Sequence, residues 1–307
     1  MSEYFLDIGW KSIRHAGEEL CGDHVDVIND HQGNLTAVVA DGLGSGVRAS
    51  ILSTLTSKII STMIAEGLPL KECVSTIAST LPVMKDKNVA YSTFTILHVS
   101  NGNTLHMVQY DNPSVILIRD GEIYDYAKQE LQMEGKKIYS SELALQEGDM
   151  CIAMSDGCPY AGPGNTYNMT WKPADIAEYM QCLSFAGYDA RTLASLLVEE
   201  CNRLYEYRPA DDATGLVLSV RKRKQVNILF GPPKKMEDTE KMMQLFFEEE
   251  GMHIVSGGST SRMVARYLDT EVIPSGKISS DGIPPTSEIE GIDLVTEGVV
   301  TMNRVSE

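Results

Sequence analysis

The sequence predicts an α+β fold, a sandwich of antiparallel β-sheets flanked by paired helices, with a small α/β appendage at the C-terminus. Three observations point to it. Strand-like and helix-like segments come in separate runs. Short turn signals join the strand-like segments. The texture of the chain changes after the basic cluster "RKRKQ" at Arg221–Gln225. Segregated runs favour helices packed on antiparallel sheets over a regular doubly wound alternation.

The elements follow in order from Asp23. "HVDVIND" and "NLTAVVAD" alternate or run apolar over strand lengths, as do "YSTFTILHVS", "NTLHMVQYD", "SVILIRDGEIYDY" and "MCIAMSD" further on. The turn signals "HQGN", "SNGN" and "RDGE" link antiparallel neighbours. Between the second and third strands, Val47, Ile51, Leu55, Ile59 and Met63 recur every four residues beside Leu52 and Ile60. That spacing predicts one buried face of a long helix beginning near Ser45. "LKECVSTIASTL" predicts a second helix. Ile176, Met180 and Leu183, then Leu193, Leu196, Leu197, Cys201 and Leu204, predict two more, the first opened by Pro173. "TGLVLSV" reads as a last strand. The boundary near residue 224 divides a domain over 1–224 from an appendage over 225–307. The appendage reads as strand "VNILF", Pro-Pro turn, helix over Met236–Glu250, strand "MHIVS", glycine-rich turn and helix "TSRMVARYL", and "GVVTMNRVSE" reads as the start of another helix.

Composition bounds the function. The chain has 307 residues, 43% hydrophobic and 22% charged, which suits a soluble globular protein. No apolar run approaches the ~18 residues of a membrane span, and the N-terminus lacks the pattern of a secretory signal, so a cytoplasmic protein with no membrane partner is expected. The six cysteines include no C-x-x-C pair and read as reduced thiols. A net charge of −17 argues against nucleic acid as a partner. It would also repel a phosphorylated substrate unless cations sit in the site.

Acidic residues stand where strands end or begin: Asp23 in "LCGDHVD", Asp41 in "VVADG", Asp156 in "IAMSDG", and Asp211 and Asp212 in "ADDATGLVLSV". Taken singly, each Asp-Gly pair reads as a turn. Taken together, clustered carboxylates raise one another's pKa and call for compensation. Oxygen donors of this kind suit Mg²⁺ or Mn²⁺, and two such ions turn an acidic cleft into a phosphate receptor.

"GDHVD", "VVADGLGSGVRAS", "MSDG" and "DDAT", in this order, resemble the PPM/PP2C-type metal-dependent serine/threonine phosphatases, most closely the bacterial stage II sporulation E-like branch, over about Leu20 to Val220. The resemblance implies a PP2C-like sandwich. It also implies hydrolysis of phosphoserine or phosphothreonine by a metal-activated water, with two Mn²⁺ or Mg²⁺ ions and a phosphorylated protein as substrate, of the anti-anti-sigma-like kind. Carried onto this chain, it makes Asp41 the carboxylate bridging two metals and Gly42 a carbonyl ligand. Asp156 and Asp211 complete the second metal's ligands, and Asp23 orients metal-bound water. Adjacent side chains at a strand entrance point to opposite faces, so one of Asp211 and Asp212 meets the metals, and the resemblance favours Asp211. Thr214 shares the face of Asp212 and takes a structural role.

Lys11 and Arg14 lie near the N-terminus, and no spacing identifies either as the phosphate-holding residue of the eukaryotic enzymes. His24 reads as a core or partly exposed histidine, and Cys158 as a buried thiol without a placed partner. After "SDG" the chain continues "CPYAGPGNTYN", unlike the branch's usual hydrophobic and acidic pair. Gly42, Gly44 and Gly46 do not form G-x-G-x-x-G, and Asp41 would repel a pyrophosphate, which weighs against a nucleotide-dependent oxidoreductase. A pseudophosphatase or partner-binding signalling module is the other alternative. In the appendage, "VSGGSTSRMVARYL" places amides and hydroxyls at a helix start, where Ser259 or Thr260 would cap the helix. The appendage is expected to be a regulatory or partner-docking module. The sequence is compatible with a homodimer and does not fix the oligomeric state.

Overall fold

A computed structural model describes residues 3–80, 83–84, 89–90, 92–133, 135–162, 171–275 and 285–298. The chain divides into two compact units, Met1–Lys222 and Arg223–Glu307.

The first unit runs β1 (Tyr4–Ile13), β2 (Asp23–Asn29), β3 (Leu35–Gly42), α1 (Gly46–Ala65) and α2 (Leu70–Thr80). A short ribbon follows, β4 (Val83–Met84) and β5 (Val89–Ala90), then β6 (Ser92–Ser100), β7 (Thr104–Tyr110), β8 (Ile116–Arg119) and β9 (Glu122–Tyr124). Next come β10 (Gln129–Met133), β11 (Lys136–Ala144), β12 (Met150–Met154), α3 (Pro173–Ser184), α4 (Ala190–Leu204) and β13 (Ala213–Lys222). Two antiparallel sheets form, in the orders β1-β13-β12-β8-β9 and β10-β11-β7-β6-β3-β2. Asn101-Gly102 and Asp120-Gly121, all at positive φ, make the tight hairpin turns that "SNGN" and "RDGE" predict.

The alternation of each strand sorts its side chains into layers. Leu35, Ala37 and Val39 of β3 meet Leu117, Cys151, Ala153, Leu216 and Leu218 of the other sheet in the central core. Val38 and Ala40 face outward, onto Ile60 and Ile64 of α1 and Val74 and Ile77 of α2. On the far side, Ile152 and Val217 meet Ile176 and Met180 of α3 and Leu193 and Leu197 of α4. The α+β sandwich with helix pairs on both outer faces is therefore the observed fold. Strands β1, β10 and β11 lie outside the segments singled out in the sequence. β1 pairs with β13 from Tyr4↔Lys222 to Ile13↔Ala213.

One helix faces the other way from its periodicity. Val47, Ile51, Leu55 and Ile59 of α1 are exposed, whereas Ala49, Ser53, Thr56, Ser57, Ile60, Ser61 and Ile64 are buried. Polar side chains on the helix-facing side of β2 explain the reversal. His24 Nδ1 lies 2.8 Å from Ser57 Oγ, and Asp26 accepts from Ser61 Oγ and from Lys58 Nζ. A leucine-lined face would leave those groups buried and unpaired, a larger cost than exposing the apolar stripe.

The second unit comprises β14 (Val226–Phe230), a 3-10 turn (Met236–Asp238), α5 (Thr239–Glu248), β15 (Met252–Ser256), α6 (Gly258–Tyr267), β16 (Ile273–Pro274), β17 (Ser287–Ile289) and β18 (Ile292–Thr296). β14, β15 and β18 are parallel neighbours, and β17 and β16 complete the sheet antiparallel. Leu229 and Val255 pack under Met243, Phe246 and Val264 of the two helices. The N-cap of α6 is Gly257 at φ 106, with no side-chain cap, so neither Ser259 nor Thr260 caps it as predicted. The left-handed turn at Gly257 starts the helix early and draws both residues into its first turn. Residues 299–307 of "GVVTMNRVSE" and residues 163–168 of the loop after "SDG" lie outside the described residues.

Candidate metal centre

Strand register brings the acidic residues to one edge of the sandwich. Asp23 and Asp41 stand directly opposite on β2 and β3. In the other sheet Met154 pairs with Gly215, so Ser155 and Asp156 leave β12 where Asp211 and Asp212 lead into β13. Ser155 Oγ joins the sheets: it donates to Asp23 Oδ2 at 2.7 Å and accepts from the Thr214 amide at 2.9 Å. The resulting cleft, about 370 Å³, is lined by Asp41, Asp156, Asp211, Asp111, His15 and Thr93, among others.

The two Asp-Gly pairs are close approaches rather than glycine turns. A Cβ on Gly42 would stand 2.1 Å from the Ala49 carbonyl oxygen of α1, and one on Gly157 would stand 2.0 Å from that of Asp212. Neither glycine has a positive φ, so both are needed for space. Gly44 and Gly46 do sit at positive φ and turn the chain into α1. Because β2 and β6 run antiparallel to β3, this turn opens no βαβ unit, and the dinucleotide reading fails.

The carboxylates resist ionisation together. Burial pushes Asp23 up to about 7 against the opposing hydrogen bonds of Ser155 and Thr214, with the charges of Asp212 and Asp156 adding to the rise. Burial, then the charges of Asp23, Asp156 and Asp211, hold Asp41 well above the usual carboxylate range. Asp156 is raised by burial too, although a hydrogen bond with Asp41 and backbone amides work against the rise. Asp23 Oδ1 is buried with no hydrogen-bond partner. Among the described lining residues there is no Lys or Arg. Among the described residues no three His, Cys, Asp or Glu side chains stand in a preformed ligating array. A donor set dominated by carboxylate oxygens, with the unpartnered Asp23 Oδ1 beside it and no lining Lys or Arg, fits hard divalent cations.

The remaining predicted residues fall on both sides of this cleft. Asp212 does not line it: Oδ1 takes the His15 amide at 3.0 Å, and Oδ2 lies buried near Gly22 without a partner. Thr214 Oγ1 donates to Ser12 Oγ at 2.7 Å. His24 faces α1. Cys158 is fully buried, its thiol directed at the Thr214 carbonyl and held far up by neighbouring Cys201 and burial. Lys11 and Arg14 line nothing here, and Arg14 Nη1 donates to the Glu19 carbonyl at 3.3 Å. Sequence reasoning missed Asp111, which follows β7 at φ 58, and His15, whose buried Nδ1 has no partner. "MVQYD", an apolar strand ending in aspartate, repeats the pattern of "VVAD" and carried the missed signal; nothing in the sequence marks His15.

An antiparallel sandwich with paired outer helices and carboxylates at its shared edge defines a phosphatase domain of the PP2C type. The family model for stage II sporulation protein E (SpoIIE) matches residues 31–221, and the chain belongs to that family. It is 24% identical over 222 residues to stage II sporulation protein E of Bacillus subtilis (strain 168), covering 71% of this chain and 26% of that protein. It is 24% identical over 237 residues to the Priestia megaterium protein, covering 71% and 37%. The chain thus spans well under half the length of these relatives. Among solved structures, the PP2C phosphatase domain of B. subtilis SpoIIE with a fragment of its regulatory domain aligns with TM-score 0.61 and 22% identity over 73% of this chain and 66% of that one. The phosphatase domain alone, in a crystal form without domain swapping, aligns with TM-score 0.55 and 20% identity over 76% and 100%. These likenesses show the fold.

Proposed function

We propose that this chain hydrolyses phosphoserine or phosphothreonine in a protein substrate with the help of two Mn²⁺ or Mg²⁺ ions. The observation that carries the reading is the convergence of half-buried carboxylates from both sheets, Asp41, Asp156 and Asp211, on one cleft with no Lys or Arg among its described lining residues. Asp41, the Gly42 carbonyl, Asp156 and Asp211 would hold the ions, which supply the positive charge that attracts a phosphate and activates water. Asp23, raised to about 7, holds or releases a proton near neutrality beside Asp41 and orients water through its unpartnered Oδ1. Ser155 fixes the other oxygen of Asp23. Cys158 is turned away and buried, so no covalent intermediate is assigned to it. The substrate class proposed by resemblance is an anti-anti-sigma-like phosphoprotein.

Hydrolysis of p-nitrophenyl phosphate and of a phosphoserine peptide tests the reading. Turnover with Mn²⁺ or Mg²⁺ that EDTA abolishes and Asp41→Asn removes is the expected result. Turnover that survives EDTA and Asp41→Asn would refute it. The second unit is proposed as a regulatory or partner-docking module. Deleting residues 226–307 should leave aryl phosphate hydrolysis in place and alter activity on the protein substrate; a truncated protein that folds and binds Mn²⁺ yet hydrolyses neither would make that unit part of the active site.

A further inference from the structure

At the opposite end of β3 from Asp41, four side chains form a row across four adjacent strands. Thr36 stands opposite His98, His98 opposite His106, and His106 opposite Glu142. The two imidazoles lie side by side, ring centroids 6.0 Å apart and planes 29° from parallel. Each is held by Nδ1: that of His98 lies 2.9 Å from Thr36 Oγ1, and that of His106 lies 3.3 Å from the Glu142 carboxylate. A carboxylate at Nδ1 keeps the proton on that nitrogen, and the Thr36 hydroxyl, which donates or accepts, allows the same tautomer in His98. Among the described residues no hydrogen bond reaches Nε2 of either ring.

Both rings line a cleft of about 560 Å³ beneath the α1–α2 turn. Its electrostatics favour a cation. Asp30 and Glu66 line it, Lys and Arg do not, and the C-terminal end of α1 adds the negative end of a 20-residue helix. Burial, followed by the neighbouring His106, lowers the pKa of His98 and leaves its lone pair available near neutral pH. Two imidazoles whose second nitrogens are held by a carboxylate and a hydroxyl match the outer-shell arrangement of metal-bound histidines.

We propose that His98 and His106 form a second metal site, selective for a borderline transition dication such as Zn²⁺, Ni²⁺ or Cu²⁺, with Glu142 as the positioning residue for His106. No three ligating side chains are preassembled there, so the two rings must turn their Nε2 atoms onto one ion, with water or the Glu66 carboxylate completing its shell; Asp30, whose oxygens accept from Gln32 and Asn34, contributes its charge. The site is separate from the carboxylate centre. Thr36 and Asp41 are five residues apart on β3, a span of roughly 17 Å. The donor chemistry separates them as well, since imidazole nitrogen selects against Mg²⁺.

Zn²⁺ titration calorimetry and Cu²⁺ electron paramagnetic resonance on the full chain, in excess Mg²⁺ to satisfy the carboxylates, read binding and not activity. Wild-type protein should show Cu²⁺ coupled to two imidazole nitrogens, and His106→Gln to one. The double variant His98→Gln/His106→Gln should bind Zn²⁺ at least a hundredfold more weakly while melting normally in EDTA. Should the double variant fail to fold, Glu142→Gln carries the test, because Glu142 is 68% exposed and dispensable for packing; it should weaken Zn²⁺ binding about tenfold. Wild-type affinity in the double variant, or in Glu142→Gln, overturns the site, as does a two-nitrogen signal abolished only by His31→Gln, since His31 lines the same cleft.

Discussion

Asp23→Asn should stabilise the metal-free protein at pH 8 and lose that effect by pH 5. Asp23 is 6% exposed, and Oδ1 has no partner. Its folded pKa is about 7 against an ordinary 3.8. A carboxyl raised in this way contributes its full stability below the unfolded value, and that contribution is lost as pH rises from 3.8 through about 7. At about 1.4 kcal/mol per unit, the charged group costs on the order of 4 kcal/mol at pH 8. Asparagine removes that cost and still accepts from Ser155, but its NH₂ takes the position of the unpartnered oxygen, which costs about 1–3 kcal/mol. The net gain at pH 8 is about 2 kcal/mol, or ~4–8 °C in melting temperature for a domain of this size. At pH 5 only about a third of the ionisation cost has developed, so the two effects cancel. Thermal melts by circular dichroism in EDTA at both pH values make the measurement. Mn²⁺ should then stabilise the wild type more than the variant. Equal destabilisation by Asp23→Asn at pH 5 and pH 8 would refute the electrostatic argument.

Three further outcomes follow from the same geometry. Asp211→Asn should cut hydrolysis more than about a hundredfold with little change in melting temperature, while Asp212→Asn stays within about tenfold of wild type, because only Asp211 lines the cleft; equal losses in steady-state assays would reverse that assignment. Asp111→Asn should fold normally, since asparagine tolerates the φ of 58, and should weaken Mn²⁺ affinity several-fold in a metal titration. On α1, urea denaturation should show Leu55→Ala costing under about 0.5 kcal/mol and Ile60→Ala about 2–5 kcal/mol, since Leu55 is 54% exposed and Ile60 fully buried.

What was legible in the sequence is what period and turn chemistry encode. The strands from "HVDVIND" to "MCIAMSD", the four helices of the first unit and the hairpin glycines announce themselves because each depends on neighbours within a few residues. The facing of α1 does not. Its apolar stripe is a local property, but the partners that decide its orientation, His24 and Asp26, lie on a strand more than twenty residues away. The carboxylate positions were legible as strand ends. The reason for their glycines was not, because the backbones of Ala49 and Asp212 that crowd Gly42 and Gly157 approach only in the folded chain. Asp111 ends the apolar strand "MVQYD" as Asp41 ends "VVAD", but the following "NP" makes it read as an ordinary turn, and the placing of β7 beside β6 and β3 brings it to the cleft.

The Asp23–Ser155 bond gives metal binding a consequence beyond chemistry. Asp23 and Asp41 belong to one sheet, Asp156 and Asp211 flank strands of the other, and Ser155 is the hydroxyl that spans them. The repulsion among these carboxylates therefore acts to separate the two layers, against the apolar core that joins them. The ions proposed for this cleft would reverse the sign of that force. Their binding energy would then stabilise sheet-on-sheet docking, and would appear in the global unfolding of the first unit instead of in the fraying of any one strand. The lone buried oxygens of Asp23 and Asp212 stand on a common footing. Each is a polar atom that the core tolerates because a neighbour fixes the carboxylate's other oxygen, Ser155 in one case and the His15 amide in the other. Only Asp23 stands across from Asp41, so only its stored cost is recoverable by an ion held there.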